Sequence, residues 1–119
     1  MLLVEDEPLI SLALQDALEK AGYEVVSAGD GHAASEALDH RLHEVSGLIT
    51  DIRLGVGPDG WSIACRARQQ RPDLPVLYVT GDSGPDWGKK GVLGSALLQK
   101  PFASERMLAE LDKLLSARP

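Results

Sequence analysis

Residues 76–82 read Val-Leu-Tyr-Val-Thr-Gly-Asp. Five residues that favour extended structure run into a glycine and an acid. The first four are apolar at every position rather than at every second one. A strand with one wet face alternates, whereas a strand covered on both faces does not have to. Four other short segments have the same character: Leu2–Val4, Glu24–Ala28, Gly47–Thr50 and Ala96–Gln99.

Between these segments the apolar period changes to that of a helix. Leu14, Ala17, Leu18 and Ala21 share a face, with Pro8 suited to the first turn and Gly22 to the end. Ala34, Ala37, Leu38 and Leu42 form a second stripe behind Asp30, a helix-capping residue type. Ile63, Ala64 and Ala67 form a third, entered after Asp59-Gly60 and stopped before Pro72. Met107, Leu108, Leu111, Leu114 and Leu115 form the last. The segment 83–95, SGPDWGKKGVLGS, carries four glycines and a proline, so a fourth helix there is expected to be short or irregular.

The resulting order, β-α-β-α-β-α-β-(α)-β-α, implies parallel strands joined by crossovers, hence an α/β three-layer sandwich. With no internal repeat or linker, residues 1–119 read as one domain, a length that sustains its own core. Hydrophobic residues make up 44% and charged residues 25%, which argues against disorder. The net charge of −6 argues against a nucleic-acid or anionic-membrane surface, since both call for a basic patch. A lone cysteine, Cys65, cannot form an internal disulfide or a cysteine-based zinc cluster. No apolar run is long enough for a membrane span, and no secretory leader is apparent. These features fit a reducing cytosol, and a cytoplasmic location is expected. His32, His40 and His43 read as solvent-facing, Tyr78 and Trp61 as core and Trp87 as a partner-surface candidate.

In a parallel sheet, function gathers beyond the carboxyl ends of the strands. Those ends carry Glu5-Asp6-Glu7 after the first strand, Asp51 after the third, Thr80-Gly81-Asp82 after the fourth and Lys100-Pro101 after the fifth. Carboxylates held about 4 Å apart repel by several kcal/mol at an intermediate dielectric. Such a cluster shifts a pKa or holds a cation. Hard oxygen ligands that leave positions for a phosphate suit Mg²⁺. Glu5 and Asp6 would then hold the metal, with Asp51 as third ligand and nucleophile. Lys100 would pair with phosphoryl oxygens, and Thr80 would donate a hydrogen bond to them. Phosphoryl transfer chiefly needs positioning and charge neutralisation, and this set supplies both.

Five motifs carry a family resemblance: LVEDE at 3–7, LITD at 48–51, DG at 59–60, VLYVTGD at 76–82 and KPF at 100–102. In this order and spacing the chain resembles the receiver (CheY-like, flavodoxin-like) domain of two-component response regulators along essentially its whole length. The resemblance implies a five-stranded parallel sheet in the order 2-1-3-4-5. It implies transfer of a phosphoryl group, with Mg²⁺ or Mn²⁺, from a sensor histidine kinase or histidine phosphotransfer protein to Asp51. It further implies self-catalysed dephosphorylation and signalling to a downstream protein, leaving dimerisation open. Such a domain is a signalling phosphoacceptor and not a conventional enzyme. By position, Arg53 would supply a backbone carbonyl to the metal, and the bond before Pro101 would be cis. Arg53 and Asp82 fall where the family tunes phosphoryl lifetime, and they are expected to approach each other across the mouth of the site.

The chain departs from the family pattern in three further places. The loop between Asp51 and Gly60 is one residue longer than usual, Leu97 stands at the usual aromatic switch position, and Thr80 to Lys100 is two residues short. Two rival readings are a receiver-like module that binds partners without phosphorylation and a haloacid-dehalogenase-type phosphatase. The second normally carries an acid where this chain has Arg53.

Overall fold

The near-continuous apolar runs become five parallel strands: β1 (Leu2–Val4), β2 (Val26–Ala28), β3 (Leu48–Asp51), β4 (Val76–Thr80) and β5 (Ala96–Gln99), in the order β2-β1-β3-β4-β5. The structure is a computed structural model and describes residues 1–81 and 86–117. The helices are α1 (Pro8–Lys20), α2 (Gly31–Arg41), α3 (Gly60–Gln70), α4 (Trp87–Lys90) and α5 (Ser104–Ser116), with a 3₁₀ turn at Leu42–Glu44. The sheet order, the parallel pairing and the three-layer architecture are those expected from the sequence.

Residue parity sorts the core. Leu2, Val4, Leu48, Val76 and Tyr78 face one layer with Ala34 and Leu38 of α2 and Trp61, Ile63 and Ala67 of α3. Leu3, Ile49, Leu77, Val79 and Leu98 face the other, against Leu14 and Leu18 of α1 and Met107 and Leu111 of α5. The strands are apolar at nearly every position because both faces are covered. Trp61 and Tyr78 lie in the core as expected, with ring centroids 4.8 Å apart, whereas Trp87 is partly exposed.

Local chemistry starts the helices where the sequence marks them. Pro8 opens α1. Asp30 Oδ1 accepts from the Ala33 N–H at 2.7 Å, and Asp59 Oδ1 accepts from the Ser62 N–H at 2.9 Å, so each caps its helix. Some details differ from the sequence reading. β2 begins at Val26 rather than Glu24, because this edge strand pairs only with the three residues of β1. α1 ends at Lys20, which leaves Ala21 exposed at its cap rather than on the buried face. Among the described residues between β4 and β5 there is one helical turn, α4, in a glycine-rich run.

Candidate functional site

The strands end at or just past the close of their apolar runs, so polar side chains emerge at one edge of the sheet. The register aligns Val4 with Thr50, Asp51 with Val79 and Thr80 with Gln99. This brings Glu5, Asp6, Asp51, Thr80 and Lys100 together. Asp6, Asp51, Thr80 and Lys100 line a cleft of about 440 Å³, with Arg53 and Glu7 also on its wall. Asp82 lies outside the described residues, and so does its expected approach to Arg53.

Asp51 is buried, with 7% of its surface exposed, at the end of the third strand. Both carboxylate oxygens are engaged. Oδ1 accepts from the Ile52 N–H at 2.7 Å, and Oδ2 accepts from Lys100 Nζ at 2.8 Å. Its backbone carbonyl accepts from Thr50 Oγ1 at 2.7 Å. Gly60 packs so closely on that carbonyl that a Cβ at position 60 would overlap it. The first turn of α3 therefore seats directly behind the acid.

Glu5 is 2% exposed. Oε2 accepts from the Glu7 N–H at 3.1 Å. Lys100 Nζ stands 2.8 Å from Oε1, an ion-pair distance, but without the direction of a hydrogen bond, so Oε1 keeps no aligned donor. Burial raises the Glu5 pKa, and the Asp51 charge adds to this against the opposing pull of Lys100 and the Glu7 amide. Burial alone would lower the Lys100 pKa, but its bond to Asp51 and the nearby charges of Asp51 and Glu5 outweigh that and raise it. One ammonium thus bridges two buried carboxylates. Thr80 is 1% exposed at the end of β4, and the Lys100–Pro101 peptide bond is cis.

Ligand oxygens of Glu5, Asp6 and Asp51 lie within 4.8 Å of one another. Three carboxylates, one with an oxygen that lacks an aligned donor, fit a hard divalent cation of the Mg²⁺ or Mn²⁺ type. Asp6 is the exposed member.

One contributor has no signature in the sequence. The Ile52 amide fixes the Asp51 carboxylate, and every non-proline residue has such a donor. Glu7 belongs to the strand-end acids of the sequence. It precedes Pro8 at the start of α1, but its side chain makes no cap hydrogen bond and it lines the cleft. The three histidines are exposed and lie away from the site, as does Cys65.

The family model for the response regulator receiver domain matches residues 1–112. The response regulator receiver protein CpdR of Brucella abortus is 36% identical over 98% of this chain and 97% of its own length. A crystal structure of a response regulator receiver protein from Sinorhizobium medicae superposes with a TM-score of 0.94 at 36% identity, covering 99% of this chain and 94% of that one. Other relatives are longer. The transcriptional regulatory protein DctD of Pseudomonas aeruginosa is 30% identical over 99% of this chain, which spans only 25% of its length. The chain belongs to the response regulator receiver domains of two-component signalling.

Proposed function

We propose that residues 1–119 act as a single receiver unit that takes a phosphoryl group from a phosphohistidine donor onto Asp51 and thereby switches a protein-interaction surface. The observation that carries this reading is Lys100 Nζ, 2.8 Å from Asp51 Oδ2 and from Glu5 Oε1, at the floor of an acid-lined cleft.

The chain's own groups divide the work. The Ile52 amide holds the Asp51 carboxylate in one orientation, so that an oxygen is presented to the cleft without rotational search. An Asp51 oxygen bonds to phosphorus as the donor's N–P bond breaks, and the electron pair of that bond stays on the imidazole. The product is an acyl phosphate. Lys100 then moves its charge from Asp51 to a phosphoryl oxygen, and the Thr80 hydroxyl donates to another. Glu5, Asp6, Asp51 and the Arg53 carbonyl would hold a divalent cation, which would supply neutralisation of the phosphoryl charge. In the separate dephosphorylation step water attacks phosphorus and the O–P bond to Asp51 breaks, which releases inorganic phosphate and restores the carboxylate. By the family resemblance, Arg53 and Asp82 occupy the sequence positions that govern access of that water.

The phosphoryl donor is a sensor histidine kinase or a histidine phosphotransfer protein in the cytoplasm, and the phosphorylated form signals to a downstream protein. Thr80 and Lys100 engage the charged acyl phosphate differently from the bare acid, and that difference shifts the conformational population. Intact mass after incubation with acetyl phosphate and Mg²⁺ tests the reading. Wild type gains one phosphoryl group, and Asp51→Asn and metal-depleted wild type gain none. An unmodified wild type refutes it.

A further inference from the structure

The loop from Asp51 to Gly60, one residue longer than the family pattern, is closed at its base and fastened at its tip. At the base, the Gly60 N–H donates to the Ile52 carbonyl at 2.7 Å, while Ile52 and Leu54 are both 2% exposed. At the tip, the Val56 carbonyl accepts from the His32 N–H at 3.2 Å, in the first turn of α2. Each contact there sets a glycine against backbone atoms. A Cβ on Gly31 would overlap the Pro58 carbonyl, and a Cβ on Gly57 would come within 2.6 Å of the His32 nitrogen. Gly57 also sits at φ 90°, a conformation that side chains disfavour. Arg53 lies between the two attachments and lines the cleft around Asp51.

We propose that Gly31, on α2 and outside the cleft, is a positioning residue for the phosphoacceptor site: by letting the loop tip seat on α2, it sets where the Arg53 backbone stands. This rests on the reading of Asp51 as a metal-assisted phosphoacceptor. The contact at Gly31 is backbone against backbone, so no flexible side chain can yield to a methyl group. The loop tip must lift, and the segment carrying Arg53 moves with it. Groups that orient a metal site from outside typically change affinity by about 10–100-fold when altered.

Gly29 provides an internal control, because a Cβ there meets nothing within 4 Å. Both alanine variants are compared with wild type by Mg²⁺ titration without phosphodonor, by amide hydrogen exchange at His32 and by the decay of phosphorylated Asp51. Gly31→Ala is expected to weaken Mg²⁺ binding about tenfold and to change the decay rate. It is also expected to lose protection at the His32 amide, with Gly29→Ala matching wild type in all three. Wild-type Mg²⁺ affinity in a folded Gly31→Ala overturns the proposal. If that variant does not fold, wild type alone decides. Linkage requires Mg²⁺ to increase protection at the His32 amide if docking and metal binding are coupled, and unchanged protection overturns the proposal equally. Failure of wild type to take up a phosphoryl group refutes instead the phosphoacceptor reading beneath it.

Discussion

Replacing Lys100 with methionine keeps the apolar stem and removes the ammonium that bridges Glu5 and Asp51. The two acids are 2% and 7% exposed, and their oxygens lie within 4.8 Å of each other. At an effective dielectric near 20, two unit charges at that separation repel by about 3.5 kcal/mol. Removing one member of a buried ion pair typically costs about 3–5 kcal/mol. A loss of about 3 kcal/mol at neutral pH is therefore expected, read as a fall of roughly 1–3 M in the urea midpoint for a slope of about 1–3 kcal/mol per M. The pH dependence identifies the cause. Burial holds the Glu5 pKa above its unfolded value, and removing Lys100 raises it further. For an acid with a raised folded pKa, the stability it contributes is present below the unfolded pKa and is lost as pH rises through the folded one. The gap between wild type and variant must therefore open from about pH 4 upward. Mg²⁺ should return more stability to the variant than to wild type, because it replaces the missing positive charge. A variant as stable as wild type at pH 7, or a deficit just as large at pH 4, would refute the bridging role.

Three further outcomes can be measured by denaturation. Asp30→Ala removes the cap on the Ala33 N–H and should cost about 1 kcal/mol. Met107→Ala empties a fully buried position between α5 and the sheet and should cost about 2–5 kcal/mol, with little effect on Mg²⁺ affinity. Burial raises the Tyr78 pKa, against the Val92 N–H that donates to its hydroxyl at 3.1 Å. The folded state then holds that proton longer than the unfolded chain, so stability falls as pH rises above about 10. Tyr78→Phe should make that decline shallower, leaving the part due to Lys100, whose pKa is also raised.

What the sequence discloses follows from how local its causes are. β4 and β5 are readable to the residue, because an apolar run ends in Thr80 and in Gln99. Asp51, Thr80 and Lys100 are readable as strand-end chemistry for the same reason, and Asp30 and Asp59 as caps because capping needs a short acceptor three residues ahead. The start of β2 is not readable, since pairing with a three-residue partner fixes its length. Nor is the contact of Gly31 with Pro58, residues far apart in the chain whose meeting depends on the path of an irregular loop. The exposed Leu9 and Leu12 of α1, at 82% and 62%, continue an apolar pattern past the width that the sheet covers.

The sheet also works as a partition. Even-numbered residues of β1, β3 and β4 look toward α2 and α3, and odd-numbered ones toward α1 and α5. Among the described residues the two apolar layers form separate clusters on opposite faces of the sheet. A cavity cut beneath α5 and another beneath α3 share no neighbouring side chain, so their costs should add. The helix pair on either side can thus be repacked without renegotiating the other, while the strand ends between them, and the acids they carry, stay in register.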